Sequence, residues 1–193
     1  CGPKPVVQQS PLDTAANQYQ RGLTSLERGD FMTAQRAFER ARMLDSDYPG
    51  IYVGYALLAM ERGDFFRAYK ELELALHKDN DFVDAHIAQG RLATKEGVFR
   101  GGEAKKWLPD ALRAYKKASE KAPNYPPIYF YRGQSYLQAQ NLPLARKAYT
   151  RLIEINRGPL VAPAMAKVDQ IQMILKTTCE SHLASAYAAY NVS

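Results

Sequence analysis

The chain has 193 residues, 46% hydrophobic and 24% charged, a length and balance ordinary for a folded domain with a continuous core and unlike a disordered chain. No apolar run approaches the roughly 18 residues a membrane-spanning helix needs, because charge interrupts every candidate stretch. The net charge of +6 is interleaved with Asp and Glu along the chain instead of gathered in a stripe, which argues against nucleic acid as a partner.

The first element is a linker, residues 1–14. It opens on Cys1-Gly2 with no Met before it and continues through a Pro- and Gln-containing stretch to Asp13. This start resembles that of a mature bacterial lipoprotein, cleaved immediately before a lipid-modified cysteine and followed by a tether. The resemblance implies a covalent lipid on Cys1 as the membrane anchor, with the linker holding the rest of the chain off the bilayer. No other cofactor is expected. Gly2 is not the acidic residue that, in the enterobacterial sorting rule, retains lipoproteins at the inner membrane. The resemblance therefore implies an outer-membrane lipoprotein facing the periplasm.

Internal repetition organises residues 15–159. Arg28-Gly29-Asp30-Phe31 recurs 34 residues later as Arg62-Gly63-Asp64-Phe65, and Gly97 falls another 34 beyond Gly63. With repeats at 15–48, 49–82, 83–125 and 126–159, a small residue recurs early in each first helix as Gly22, Ala56, Gly90 and Gly133. Each second helix carries Ala34, Ala68, Ala111 or Ala145, followed four residues on by Phe38, Leu72, Tyr115 or Tyr149. A second small position reads Ala41, Ala75 and Ala118, with Leu152 in the last repeat. This pattern resembles the tetratricopeptide repeat, a helix-turn-helix unit of that length. Departures are Gln18 and His86 where the family has an aromatic, and Ser46, Asn80 and Arg157 where it has a closing proline, present here only as Pro123.

Elementary physics gives the same reading. Small residues on facing helices let backbones approach, and the bulky residue at i+4 fills the space between neighbours. Gly-Asp after a helical run stops the first helix and caps the second, since Gly adopts the left-handed conformation cheaply and Asp accepts from the new helix's free N–H groups. The recurrence of Arg-Gly-Asp in phase marks it as this turn and not as an adhesion motif. Pro143 suits the first turn of the last second helix. The expected fold is all-α, an α-solenoid of four helical hairpins plus a C-terminal capping helix or helices.

Repeat 3 is longer than its frame by nine residues within Val98 to Asp110, which include Arg100, Lys105, Lys106 and Trp107. Insertions in repeat arrays map to loops on one face. Either the second helix is extended and Trp107 folds back on the array, or Arg100, Lys105, Lys106 and Trp107 form a partner-contact loop.

Residues 160–193 form the cap and tail. Met165, Val168, Ile171 and Leu175 recur at helical steps over Pro163 to Thr177, and a repeat array needs such a terminal cap. The segment from Cys179 to Tyr190 either continues that helix or forms a second one. Cys179, left alone if Cys1 is acylated, reads as a small core residue.

Nothing in the chain gathers into a catalytic pattern. His77, His86 and His182 are scattered, there is no Cys-x-x-Cys, and Gly101-Gly102 lacks the surroundings of a phosphate loop. Cys179 and His182 share a helix face without an orienting third group. A non-enzymatic chain without a metal is the expectation.

Function is then expected on a surface. In the family, the inner face of the first helices lines a concave groove that receives peptides or helices. Carried over, those positions are Tyr19, Leu23 and Leu26, then Val53, Leu57 and Met60, then Ile87 and Arg91, and last Phe130, Gln134 and Leu137. The alternative for each of them is packing against the adjacent hairpin or the C-terminal helix. The apolar lining fits an amphipathic helix or peptide of another envelope protein. By resemblance, the chain is similar to pilotin lipoproteins, which help assemble or localise an outer-membrane secretin or pilus machine. The alternative is a stoichiometric structural subunit of a larger envelope or surface complex.

Overall fold

The Gly-Asp pairs do what their chemistry predicts. Gly29 and Gly63 both take φ of +75°, ending one helix, and the Asp30 and Asp64 carboxylates each accept from the backbone N–H three residues on, at 3.0 Å. The computed structural model describes residues 13–155 and 158–190. Cys1 lies outside them. Among the described residues there are nine helices and no strand. Four hairpins come first: α1 (Ala15–Glu27) with α2 (Phe31–Leu44), α3 (Gly50–Glu61) with α4 (Phe65–Lys78), α5 (Val83–Phe99) with α6 (Ala104–Lys121), and α7 (Pro126–Gln138) with α8 (Leu142–Ile155). The last helix, α9, runs from Val161 to Tyr190. The chain divides into two compact units, one ending at Leu92 and the other beginning at Ala93 within α5.

In the first unit the core is built on close approach. The Phe38 ring sits where Gly22 of α1 and Gly54 of α3 leave room: a Cβ at either would lie 2.2 or 2.6 Å from a ring carbon. Ala34, Ala41, Ala68 and Ala75 are fully buried, as are Phe38 and Leu72. Two residues that depart from the expected aromatic, Gln18 and His86, are buried too. Their polar atoms find partners, Gln18 on Asp13 at 2.7 Å and His86 Nε2 on the Asn80 carbonyl at 2.9 Å.

The second unit follows the same plan with more oxygen in it. Ala111, Ala118 and Ala145 are fully buried, and the large positions are Tyr115 and Tyr149. The Tyr115 hydroxyl meets Ser135 Oγ at 3.1 Å, and Ser135 Oγ meets Thr94 Oγ1 at 2.7 Å. The Tyr149 hydroxyl is buried without a hydrogen-bond partner among the described residues.

The lengthened third repeat is mostly helix. α5 continues to Phe99, a turn with Gly101 at φ +63° comes next, and α6 starts early at Ala104. Trp107 is 7% exposed, donates from its indole N–H to the Gly102 carbonyl at 3.1 Å, and lies against Gly97, where a Cβ would fall 2.3 Å from the ring. Of the two readings, Trp107 takes the one that folds back on the hairpin. It is not an exposed contact.

At the C-terminus the expected tail is a continuation of α9, 30 residues in all. Ile171 is buried and Val168 and Leu175 are half-buried on the expected face where α9 packs on α8, but Met165 is 51% exposed and Ala164 takes the buried place beside it. Cys179 is exposed and not a core residue, because the residues from Lys176 to Ser181 are all exposed.

Candidate protein-binding surfaces

Five of the residues expected to line an open groove are core instead. Tyr19, Val53, Leu57, Met60 and Ile87 are each at most 4% exposed. Leu23 and Leu26 are half-buried against the same core. Tyr19, Val53, Leu57 and Met60 belong to one core cluster with Phe38, Leu72 and Leu92. The Tyr19 hydroxyl donates to the Asp84 carboxylate at 3.0 Å, while its ring packs on Phe38, Tyr48 and Phe82 with centroids 5.8–6.3 Å away. These side chains are packed on the chain's own core and are not a surface open to a guest. Arg91 is half-buried. In the second unit Phe130 and Leu137 are half-buried and Gln134 is exposed, with Phe130 edge-on to Tyr149 at 5.9 Å.

The insertion residues are divided. Arg100 pairs with Glu96 at 2.7 Å and Lys105 with Glu103 at 2.7 Å, so each is matched locally, and Lys106 is exposed. Beside them Val98 and Phe99 are 43% and 73% exposed.

Two surfaces of the first unit stand out that the pattern of small and large residues does not indicate. The first is apolar. Met32 and Phe66 hold the same position in successive repeats, the second residue of α2 and of α4, and are 62% and 75% exposed. Tyr69, one turn on from Phe66, is 49% exposed, and the Lys70 ammonium lies 5.8 Å from the Phe66 ring centre. Large apolar side chains left in water at an equivalent place in two repeats are what a partner's core contacts require. The 34-residue offset from Met32 to Phe66 is legible in the sequence once the buried alanines at 34 and 68 orient the helices.

The second surface is cationic. Arg21 and Arg28 on the α1 side, and Arg36 and Arg40 on α2, border one shallow depression with Thr24, Ser25 and Thr33. Arg40 donates to Asp13 at 2.5 Å, and this bond, with a second from Gln18, holds the Asp13 carboxyl below the usual carboxylate range. Arg36 lies near enough to Asp30 to act on it weakly.

Between α2 and α4 a groove floored by Tyr52 and Tyr55 of α3 is rimmed by mixed charge. Arg67 pairs with Glu71 at 3.5 Å, and Arg62 donates to the Gln35 amide oxygen at 3.1 Å. Among the described residues no three His, Cys, Asp or Glu side chains gather as a metal site, and no helix is long and apolar enough to cross a membrane.

Comparison with known proteins agrees with the hairpin geometry. Two family models described as tetratricopeptide repeat match residues 25–92 and 108–158. No curated protein matches. Among solved structures, a thermophilic TPR protein of Thermus thermophilus is 18% identical with a TM-score of 0.66, over 83% of this chain and 82% of that one. Pseudomonas aeruginosa PilF is 20% identical with a TM-score of 0.54, over 80% of this chain and 67% of that one. Yeast Tom70 is 15% identical with a TM-score of 0.57, over 91% of this chain but only 43% of its own length. At these identities the likeness concerns the fold, an α-solenoid of helical hairpins.

Proposed function

This chain belongs to the tetratricopeptide repeat family, and we propose that it is a protein-interaction scaffold of the bacterial envelope, lipid-anchored at Cys1, that assists assembly or localisation of an outer-membrane machine. The observation that carries the binding role is the exposed apolar pair Met32 and Phe66, repeated in register on the second helices and supplemented by Tyr69. Leaving two large side chains in water has a cost of order 1.5–3 kcal/mol each relative to burying them, which a partner recovers on docking. The expected partner is therefore another envelope protein that presents an apolar face to the outside of α2 and α4, and not a peptide laid against Tyr19, Leu57 and Met60. The anchor rests on Cys1-Gly2 and the proline-bearing stretch after it.

The test is fractionation combined with capture. In cells making the full precursor, the chain should sediment with membranes, resist a high-salt wash and crosslink to an envelope protein, and Cys1→Ser should make it releasable by that wash with its fold intact. A Cys1→Ser chain that stays with salt-washed membranes contradicts the anchor. Recovery of the crosslinked partner in fixed stoichiometry after detergent extraction would favour a permanent subunit over an assembly factor.

A further inference from the structure

The cationic depression on the first hairpin differs in composition from the equivalent face of the second. The same face of the second hairpin receives the preceding helix α2, and the residues there include Tyr55, Leu58 and Ala59. Thirty-four residues earlier those positions are Arg21, Thr24 and Ser25. Likewise Leu74 of α4 corresponds to Arg40 of α2, and Lys70 to Arg36. At Tyr55, Leu58 and Leu74 a large apolar side chain is thus replaced by a cation or a hydroxyl, while Lys70 to Arg36 keeps its charge. The lining of the depression offers no aromatic or large aliphatic anchor of the kind that dominates protein interfaces. It has what an anionic headgroup layer needs: guanidinium groups, which pair with phosphate bidentately, and hydroxyl donors beside them.

The position of the face in the chain selects among anionic partners. Asp13, bonded to Arg40 and Gln18, ties the end of the linker to this depression. The twelve residues before Asp13 span at most about 40 Å when extended. On the reading that Cys1 carries lipid, the hairpin that bears Arg21, Arg28 and Arg36 is the one joined directly to the tether. We propose that this face, through Arg21, Arg28 and Arg36, lies against an anionic phospholipid surface and orients the array on the membrane, leaving Met32 and Phe66 for the protein partner. The proposal rests on the anchored reading for its biology, but the contact itself does not need the lipid on Cys1.

The probe is vesicles of phosphatidylglycerol, with phosphatidylcholine vesicles as the neutral reference, added to the purified, full-length, unlipidated Cys1→Ser chain at low and at physiological salt. Binding to phosphatidylglycerol that weakens as salt is raised is the expected result. Arg21→Gln/Arg28→Gln/Arg36→Gln should lower it by roughly 5-fold per arginine, on the order of 100-fold together. A control that removes the same charge elsewhere, Lys116→Gln/Lys117→Gln/Lys121→Gln on α6, should lower it by less than about 5-fold. Equal losses in the two triple variants would mean that net charge alone acts and would overturn the site. So would binding of polyglutamate but not of phosphatidylglycerol, which would assign the face to an acidic protein. Failure on vesicles leaves the Cys1→Ser fractionation result standing, so the two readings fail separately.

Discussion

Tyr19 and Asp84 are 65 residues apart and joined by a 3.0 Å hydrogen bond that closes the inner face of the first unit. Removing the hydroxyl with Tyr19→Phe takes one donor from a part-buried carboxylate, for an expected loss of about 1.5–3 kcal/mol. Urea unfolding measures it. An unchanged midpoint would mean that the inner face is open to water and that this bond is not holding α1 to α5.

The seat of Phe38 gives a second expectation, of opposite sense to helix propensity. Gly54→Ala in the middle of α3 would gain up to about 1 kcal/mol from propensity alone. Because the new Cβ would fall 2.6 Å from the Phe38 ring, overpacking of about 1–3 kcal/mol should win instead. Phe38→Leu in the same chain should recover part of the loss, since the smaller side chain frees the space. Calorimetric midpoints of the two single variants and the double variant test the coupling.

Tyr115 and Tyr149 occupy equivalent positions but differ in what their hydroxyls find. Tyr115→Phe breaks the bond to Ser135 and should cost about 1 kcal/mol. Tyr149→Phe removes a buried hydroxyl without a partner among the described residues and should be neutral or stabilise by about 1 kcal/mol. A loss for Tyr115→Phe and none for Tyr149→Phe in one denaturation series is the prediction, and equal losses would contradict it.

Alkaline pH should weaken the fold through two phenols. Burial, with a lesser contribution from Asp84, pushes Tyr48 up to about 12, and burial pushes Tyr149 up as well, with Tyr115 adding to it. Both keep their protons in the folded chain after the unfolded chain has begun to lose them near pH 10. The stability they confer is complete below about pH 10 and is lost as pH rises toward the folded values. Unfolding midpoints should fall between about pH 10 and 12, and Tyr48→Phe/Tyr149→Phe should flatten that fall.

The hairpins are legible in the sequence because their signals are local. Gly29-Asp30 and Gly63-Asp64 specify a turn by backbone chemistry alone, and the alanines at 34, 68, 111 and 145 recur where two helices must approach. The inner face is not legible, because apolar side chains at helical spacing read alike whether they wait for a guest or pack on their neighbours. The burial of Tyr19, Val53, Leu57 and Met60 in one shared core distinguishes the two, and no pattern within one helix encodes it. Trp107 shows the same limit from the other side: its burial depends on Gly97, ten residues earlier and across a turn. Cys179 reads as core in the sequence yet is exposed, two turns beyond the buried Ile171 on α9. Met32 and Phe66 lie off the buried stripe of α2 and α4, so a search for that stripe passes over them.

The binding role is tested most directly by Met32→Glu/Phe66→Glu. Both positions are exposed and in the first turn of a helix, where a carboxylate is favoured by the helix dipole, so the unfolding midpoint should hold or rise slightly. Two charges facing a partner's apolar contacts should cost several kcal/mol of association. Crosslinking capture from intact envelopes and thermal unfolding, run on the same variant, give the answer. The account predicts an intact fold with the partner lost. Full partner recovery on an intact fold would contradict it.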